Sequence, residues 1–313
     1  MKPLKECRLV FMGTPDFAVA VLAQLVDEGC NIVAVITAPD KPAGRGMQLT
    51  PSAVKKFAVE KGLAVLQPEK LKDPVFLEQL RTLQADIQVV VAFRMLPEVV
   101  WNMPPLGTIN LHGSLLPRYR GAAPINWAII NGEKETGITT FKLQHVIDTG
   151  DILLQEKIII LEDETAGELH DEMKAMGASL VYDTLEKYCA GQLIPVPQSD
   201  SEDASTIPAA PKIHTATCRI NWEMDVDSIY NLIRGLSPYP GAFTEWEGKI
   251  LKIFKVTKVL DAHRQRPGSW QTDGKTFFRF AALNGWIVIS NMQLEGKKRM
   301  PVEDFLRGHR FNG

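Results

Sequence analysis

The sequence is poor in cysteine and has no long apolar run. Its 313 residues include only four cysteines, which lie far apart and form no C-x-x-C pair. They are Cys7, Cys30, Cys189 and Cys218. This spacing excludes a disulfide framework, so we expect free thiols in a reducing cytosol. No apolar stretch is long enough to span a bilayer and no signal peptide is evident, which predicts a cytoplasmic protein.

Three further signals are absent. The first predicted turn reads Gly-Thr-Pro-Asp at residues 13–16 and lacks the G-x-G-x-x-G spacing, so a dinucleotide cofactor is unsupported. No spacing typical of metal ligands occurs, and no metal is expected. No internal repeat is evident either.

The net charge is small, but charged residues are unevenly distributed along the chain. Residues 1–204 carry 19 Lys and Arg against 27 Asp and Glu, whereas residues 205–313 carry 16 against 10. The two sums, −8 and +6, give the net charge of −2. A basic C-terminal part indicates contact with an anionic partner, and a merely solvated basic face is the alternative.

The length favours two domains. Residues 8–37 have a strand–turn–helix–strand pattern and residues 87–93 form a buried apolar run, which together predict a parallel α/β sheet. Residues 193–211 contain four prolines and indicate a linker. The short strand-like runs that follow predict a small β-barrel. We therefore predict a first domain at 1–192, a linker at 193–208 and a second domain at 209–313.

Residues 38–51 give two local predictions. Two prolines and two glycines at 38–49 predict a loop without regular structure. A helix is then expected to begin with Thr50 as the N-cap and Pro51 at the first helical position.

The most informative stretch is residues 108–121. Asn110 and His112 lie two residues apart at the end of a predicted strand, so their side chains point to the same face. The amide can donate a fixed hydrogen bond, and the imidazole can change protonation near neutral pH. Because open α/β sheets bind ligands at the carboxyl ends of strands, the pair suits a carbonyl that develops negative charge. A purely structural histidine is the alternative.

Asp148 is the candidate partner of His112. It lies in an Asp-Thr-Gly-Asp turn between two predicted strands, and a carboxylate can hold the tautomer of a catalytic imidazole. An Asx turn that satisfies only the local backbone is the alternative. Asp151 and His145 in the same segment are rivals for the role.

Other side chains each have two interpretations. Arg118 and Arg120 suit either surface charge or recognition of a carboxylate or phosphate. Lys41 and Arg45 are either ordinary loop charges or part of an arm that orders on nucleic acid. The aromatic residues of the second domain are either core or base-stacking platforms. These aromatic residues are Trp222, Phe243, Trp246, Phe277 and Trp286.

Four motifs resemble those of the methionyl-tRNA formyltransferase family. They are Phe-Met-Gly-Thr-Pro-Asp-Phe at 11–17, Pro-Asp-Lys-Pro-Ala-Gly-Arg-Gly at 39–46, Asn-Leu-His-Gly-Ser-Leu-Leu-Pro-Arg-Tyr-Arg-Gly-Ala-Ala-Pro at 110–124 and Asp-Thr-Gly-Asp at 148–151. The resemblance spans the whole chain. The Asn-x-His pair with its downstream Asp is shared by formyltransferases that use 10-formyltetrahydrofolate, so it is specific for the chemistry and not for the acceptor. Residues 39–46 and the basic C-terminal part favour tRNA.

The resemblance implies a Rossmann-like N-terminal domain that binds 10-formyltetrahydrofolate and a C-terminal OB-like barrel that helps to hold initiator methionyl-tRNA. It implies formyl transfer to the α-amino group of the methionine on that tRNA. A linker between two small domains is compatible with a monomer. The implied catalytic residues are Asn110, His112 and Asp148. The implied folate contacts are Ser114, Leu115, Leu116 and Pro117, and the implied tRNA contacts are Lys41 and Arg45. Residues 92–97 depart from the family pattern, because they are one residue shorter and include Arg94.

Two alternative functions stay open at this point. The acceptor could be a purine precursor or an amino-sugar nucleotide, but a purine enzyme needs no basic C-terminal barrel. The chain could instead be a non-catalytic RNA-binding protein, although the intact Asn-x-His pair and Asp148 argue against lost activity.

Overall fold

The computed structural model describes residues 2–43, 48–198 and 207–309. Strands and helices alternate in its first part, as expected for an α/β architecture. The strands are β1 (Leu9–Gly13), β2 (Ile32–Ile36), β3 (Lys41–Ala43), β4 (Gln48–Thr50), β5 (Val65–Leu66), β6 (Ile87–Val91), β7 (Thr108–His112), β8 (Arg120–Gly121), β9 (Glu135–Lys142) and β10 (Ile152–Ile159). The helices are α1 (Asp16–Asp27), α2 (Ala53–Glu60), α3 (Pro74–Thr82), α4 (Glu98–Trp101), α5 (Pro124–Ile130) and α6 (Ala166–Cys189).

Seven strands form one sheet in the order β10-β9-β7-β6-β1-β2-β5. The five strands from β5 to β7 are parallel, whereas β9 runs antiparallel to β7. Strands β1 and β6 are buried along their whole length, as their continuous apolar runs predict. The predicted Rossmann-like α/β sheet is confirmed. Strand β7 lies between β6 and β9, so its backbone is held on both sides.

A capping box closes the start of α6. The backbone N–H of Thr165 donates to the Glu168 carboxylate over 2.8 Å, and the N–H of Glu168 donates back to Thr165 Oγ1 over 3.3 Å. Hydrogen bonds from Thr165 lower the pKa of Glu168. The box satisfies two backbone donors that a helix start otherwise leaves unpaired.

Two local predictions around residue 50 are wrong. Residues 38–49 are not a loop throughout, because β3 and β4 pair as a short antiparallel hairpin with Pro42 opposite Leu49. A two-stranded ribbon has only edge strands, where proline is tolerated. Helix α2 begins at Ala53, two residues later than predicted, because Ser52 is the N-cap and its Oγ accepts the N–H of Lys55 over 3.0 Å.

The C-terminal part is an antiparallel sheet with two helices. Its strands follow the order β12-β13-β16-β15-β14, with β17 beside β16, and they curl into a half-barrel. The predicted OB-like C-terminal barrel is thus confirmed as a half-barrel. The elements are β11 (Ala209–Ala210), α7 (Val226–Gly235), β12 (Ala242–Trp246), β13 (Lys249–Leu260), β14 (Trp270–Thr272), β15 (Phe278–Ala282), β16 (Gly285–Leu294), β17 (Met300–Pro301) and α8 (Val302–Gly308).

Aromatic residues of the C-terminal sheet serve mainly as core. Trp246 and Trp286 are buried, and Trp246 packs edge-on against Phe305 and at a tilt against Phe278 in the same cluster. Trp222 stacks on Phe280 with their ring centroids 4.7 Å apart. These contacts favour the core interpretation over base-stacking platforms, since a base needs an exposed ring face.

The chain divides into two compact units that do not follow the sequence in two simple halves. The first comprises residues 1–120, 137–158 and 170–208, and the second comprises residues 121–136, 159–169 and 209–313. Two short segments of the N-terminal half therefore belong to the second unit. The boundaries at 192 and 209 stay a prediction.

All four cysteines are free thiols, as predicted. Cys7, Cys189 and Cys218 are buried, and loss of solvent raises the pKa of the half-buried Cys30 thiol to about 11. The Cys30 thiol is therefore protonated and poorly nucleophilic at neutral pH. Among the residues that the structure describes, no helix is both long and apolar enough to cross a membrane.

We expect the half-barrel core to tolerate truncation poorly. Leu251 on β13 is fully buried, so Leu251→Ala should lower the free energy of unfolding by about 2–5 kcal/mol. Leu283 of the same unit is 63% exposed, and Leu283→Ala should change it by less than about 0.5 kcal/mol. Urea unfolding of both variants checks this pair. Equal losses would contradict the assignment of the core to this face of the sheet.

Candidate active site

Asn110 and His112 project from the same face of β7, as their spacing predicts. In the sheet, Asn110 lies opposite Val90 of β6 and Phe141 of β9. Asn110 is half-buried and His112 is only 6% exposed. Regular pairing on both sides fixes the backbone from which the two side chains extend, which gives the donors a constant position.

The imidazole of His112 lies between two hydrogen-bond acceptors. Its Nε2 is 2.9 Å from the backbone carbonyl of Tyr119, and its Nδ1 is 3.9 Å from a carboxylate oxygen of Asp148. The first distance is that of a hydrogen bond, whereas the second is too long for one. The ring is therefore oriented with one nitrogen toward each oxygen atom.

Asp148 reaches this position through an unusual backbone conformation. Its φ is 55°, in the left-handed region that aspartate tolerates better than most residues. The side chain is only 14% exposed. Gly150 follows two residues later, where a Cβ atom would lie 1.7 Å from the carbonyl oxygen of Lys142. Only glycine fits there, so the turn is shaped by close backbone contact.

The two rivals of Asp148 point elsewhere. Asp151 accepts a hydrogen bond from the side-chain amide of Gln144 over 3.1 Å. His145 is highly exposed and lies 3.5 Å from the carboxylate of Glu98. The geometry thus brings His112 and Asp148 together, and Asn110 lies two residues before His112 on β7, whereas the side chains of Asp151 and His145 have other partners.

The loop after β7 is fixed mainly by Thr139 and Gln155. The hydroxyl of Thr139 donates to the Ser114 carbonyl over 2.6 Å and accepts the N–H of Leu116 over 3.2 Å. The amide of Gln155 donates to the Leu116 carbonyl over 3.0 Å. The Ser114 hydroxyl is itself bonded to the Arg118 carbonyl over 2.6 Å. Neither Thr139 nor Gln155 was singled out in the sequence, because their partners are 16 to 39 residues away in the chain.

The four predicted folate contacts divide into two pairs. Ser114 and Leu116 are buried and take part in the internal contacts of the loop, whereas Leu115 and Pro117 are half-buried. Leu115 and Pro117 are therefore the members with surface left to meet a ligand. The Leu116–Pro117 peptide bond is cis.

Arg94, in the segment that departs from the family pattern, has a structural partner. Its guanidinium donates to the backbone carbonyls of Pro68 and Glu69, the latter over 2.7 Å. Burial lowers its pKa. Arg94 thus ties the loop after β6 to the segment after β5.

Of the two predicted tRNA contacts, Lys41 is exposed on β3 and Arg45 lies outside the described residues. The base of this hairpin is held by Asp40, whose carboxylate accepts hydrogen bonds from Gln67 over 2.8 Å and Lys55 over 2.6 Å. These bonds lower the pKa of Asp40. Within residues 2–43, 48–198 and 207–309, no three His, Cys, Asp or Glu side chains cluster as metal ligands.

Comparison with known families covers most of the chain. Residues 7–185 match the model of the formyl transferase family, and residues 212–310 match the model of the formyl transferase C-terminal domain. The chain belongs to the formyl transferase family.

Two curated relatives of this formyl transferase are similar along nearly their whole length. A protein of Bacteroides thetaiotaomicron named methionyl-tRNA formyltransferase is 50% identical, over 98% of this chain and 97% of its own. A protein of the same name from Parabacteroides distasonis is 54% identical, over 97% of this chain and 96% of its own.

Two solved structures share the fold at low sequence identity. An N-formyltransferase of Helicobacter canadensis, in complex with folinic acid and dTDP-3-aminofucose, has a TM-score of 0.69 at 19% identity and covers 92% of this chain and 100% of its own. HypX of Aquifex aeolicus in complex with tetrahydrofolic acid has a TM-score of 0.65 at 17% identity and covers 96% of this chain and 47% of its own.

We expect the loop after β7 to depend on the hydroxyl of Thr139. In Thr139→Val the Ser114 carbonyl and the Leu116 N–H lose a buried partner, which should cost about 1–3 kcal/mol of unfolding free energy. Thr257→Val on β13 makes the same change at an exposed strand position and should cost nothing measurable. Thermal unfolding distinguishes them, and an unchanged melting temperature in Thr139→Val would contradict this role.

Proposed function

We propose that the chain transfers the formyl group of 10-formyltetrahydrofolate to the α-amino group of methionine on initiator methionyl-tRNA, which gives N-formylmethionyl-tRNA for translation initiation. The observation that carries this proposal is the buried His112–Asp148 pair beside Asn110, in a chain about 50% identical over nearly its full length to curated methionyl-tRNA formyltransferases. This function is consistent with a cytoplasmic monomer.

The loop after β7 fits the folate donor. Ser114 and Leu116 are used to build the loop, so its backbone is fixed, while the half-buried Leu115 and Pro117 offer apolar contacts beside Asn110. Such a mostly apolar wall with a few placed polar groups is typical of small-molecule sites. 10-Formyltetrahydrofolate supplies an activated formyl group to this site.

Asn110 and His112 stabilise the negative charge that develops during transfer. The amine nitrogen bonds to the formyl carbon, the bond from that carbon to N10 breaks, and a proton passes from the amine to the departing nitrogen. Asn110 donates its amide N–H to the formyl oxygen while that oxygen is negative. Imidazolium His112 is the second donor, and preorganised donors of this kind contribute ~3–4 kcal/mol each.

Asp148 favours the charged imidazole and relays the proton. A separation of 3.9 Å between the His112 Nδ1 and the Asp148 carboxylate allows electrostatic stabilisation without a direct hydrogen bond. The carboxylate is also a suitable proton acceptor for the amine, directly or through a water molecule. No metal is required for either step.

The tRNA assignment has independent support from charge. The basic residues 209–313 would meet the phosphate backbone, and Lys41 and Arg45 would each add a positive charge for the same kind of partner. The amino-sugar alternative rests on structural similarity below 20% identity, which extends to the fold alone.

Acceptor choice is tested with the purified chain. 10-Formyltetrahydrofolate is supplied with initiator methionyl-tRNA, a purine precursor or an amino-sugar nucleotide, and formylated product is quantified. We expect product only with methionyl-tRNA. Formylation of either small acceptor in preference to the tRNA would contradict the proposed function.

We expect the predicted trio to be required for turnover. In Asn110→Ala, His112→Ala and Asp148→Ala, kcat should fall by at least about 10²-fold, as when an oxyanion donor is removed, while tRNA binding changes much less. Asp151→Ala is the matched control, since its carboxylate faces Gln144 and should not affect kcat. Steady-state kinetics and filter binding measure the two effects. Normal turnover of Asn110→Ala would contradict the mechanism.

A further inference from the structure

The first residues of the predicted linker are part of the catalytic unit. Val196 forms two backbone hydrogen bonds with Ile152 at the start of β10, over 2.8 and 2.9 Å. The chain from residue 193 onward was expected to lack structure because of its prolines. Instead it continues beside the strand that follows the Asp148 turn, and this places Gln198 over that turn.

Gln198 holds the Asp148 turn from outside. Its side-chain amide nitrogen donates to the backbone carbonyl of Asp148 over 2.9 Å and to that of Gly150 over 2.8 Å. A primary amide has two N–H donors, so both are used on this one turn. The two carbonyls flank Thr149, and the bonds therefore fix the backbone on both sides of the residue that follows Asp148.

Arg120 orients the amide of Gln198. Its Nε and Nη2 donate to the Gln198 side-chain oxygen over 3.1 and 2.6 Å. Because a guanidinium can only donate, this contact assigns the oxygen to Arg120 and turns the nitrogen toward the turn. Arg120 was considered as a ligand for an anion, but in this structure its guanidinium binds Gln198.

His112 is supported from the far end of the same predicted linker. The N–H of Tyr119 donates to the carbonyl of Pro208 over 2.6 Å, and the carbonyl of Tyr119 faces His112 Nε2. Tyr119 has a φ of 60° and Asp148 a φ of 55°, conformations that persist in residues other than glycine only when their surroundings hold them. Each acceptor of His112 is thus held by a residue of the predicted linker.

We propose that Gln198, oriented by Arg120, is a positioning residue for the catalytic carboxylate of Asp148. The inference rests on the proposed function of the trio and adds a residue that acts on the reaction only through Asp148. Without the Gln198 amide, the left-handed turn relaxes and the carboxylate leaves its place beside His112. Ground-state binding of the two substrates does not depend on that placement, so the loss falls on turnover.

The kinetic test compares Gln198→Ala and Gln198→Glu with Val196→Thr. The glutamate keeps an acceptor for Arg120 but has no N–H for the two carbonyls, so both Gln198 variants should lose about 10- to 100-fold in kcat with KM values within about twofold. Val196→Thr preserves shape in the same segment at an exposed side chain and should resemble the parent. A kcat of Gln198→Glu equal to that of the parent would overturn the proposal.

A second measurement separates positioning from a general structural effect. If Gln198 acts through Asp148, then adding Gln198→Ala to Asp148→Ala should change kcat by less than about twofold. A further loss as large as that in the parent background would overturn the proposal, because the two residues would then act independently.

A third measurement does not need activity, so it distinguishes failure of this inference from failure of the proposed function. The ring nitrogen signals of His112 in ¹⁵N NMR, assigned with His112→Gln, should shift in both Gln198 variants and not in Val196→Thr. Unchanged His112 signals in the Gln198 variants would overturn the positioning role. A parent chain that does not formylate methionyl-tRNA would instead contradict the proposed function.

Discussion

The two nitrogens of the buried His112 imidazole each face a partner that comes from an irregular turn. One partner is the Tyr119 carbonyl and the other is the Asp148 carboxylate, each contributed by a residue with positive φ. The ring itself extends from a strand that is paired on both sides. The site therefore combines one rigid element with two turns that need external support, and Thr139, Gln155, Gln198 and Pro208 supply it. This distribution explains why so many polar contacts surround a small site: they fix the acceptors, not the donors.

Features that depend on local periodicity could be predicted from the sequence. The apolar run of β6 gave a buried strand, and the i, i+2 spacing put Asn110 and His112 on one face. Near residue 50, Thr50 and Ser52 are equally good cap residues in a sequence, and only the structure distinguishes them. The β3–β4 hairpin was missed because proline and glycine content says nothing about pairing between two short segments.

Features that depend on distant parts of the chain could not be predicted. The role of the Tyr119 carbonyl cannot be read from a sequence, since every residue has a backbone carbonyl. Gln198 lies among prolines and polar residues, and its partners at Asp148 and Gly150 are about 50 residues earlier in the chain. The resemblance to formyltransferases predicted that Asp148 belongs to the site but gave no distance. The separation of 3.9 Å between Asp148 and His112 is known only from the folded chain.

Inward and outward residues alternate along the loop after β7, and this limits how the site can change during evolution. Ser114 and Leu116 face the interior, so mutations there are removed by selection for folding regardless of catalysis. Leu115 and Pro117 retain exposed surface, so their side chains can vary while the scaffold persists. An inhibitor that bound mainly to the backbone atoms of this loop would offer few routes to resistance. The residues that fix the conformation of the loop are the ones least free to vary.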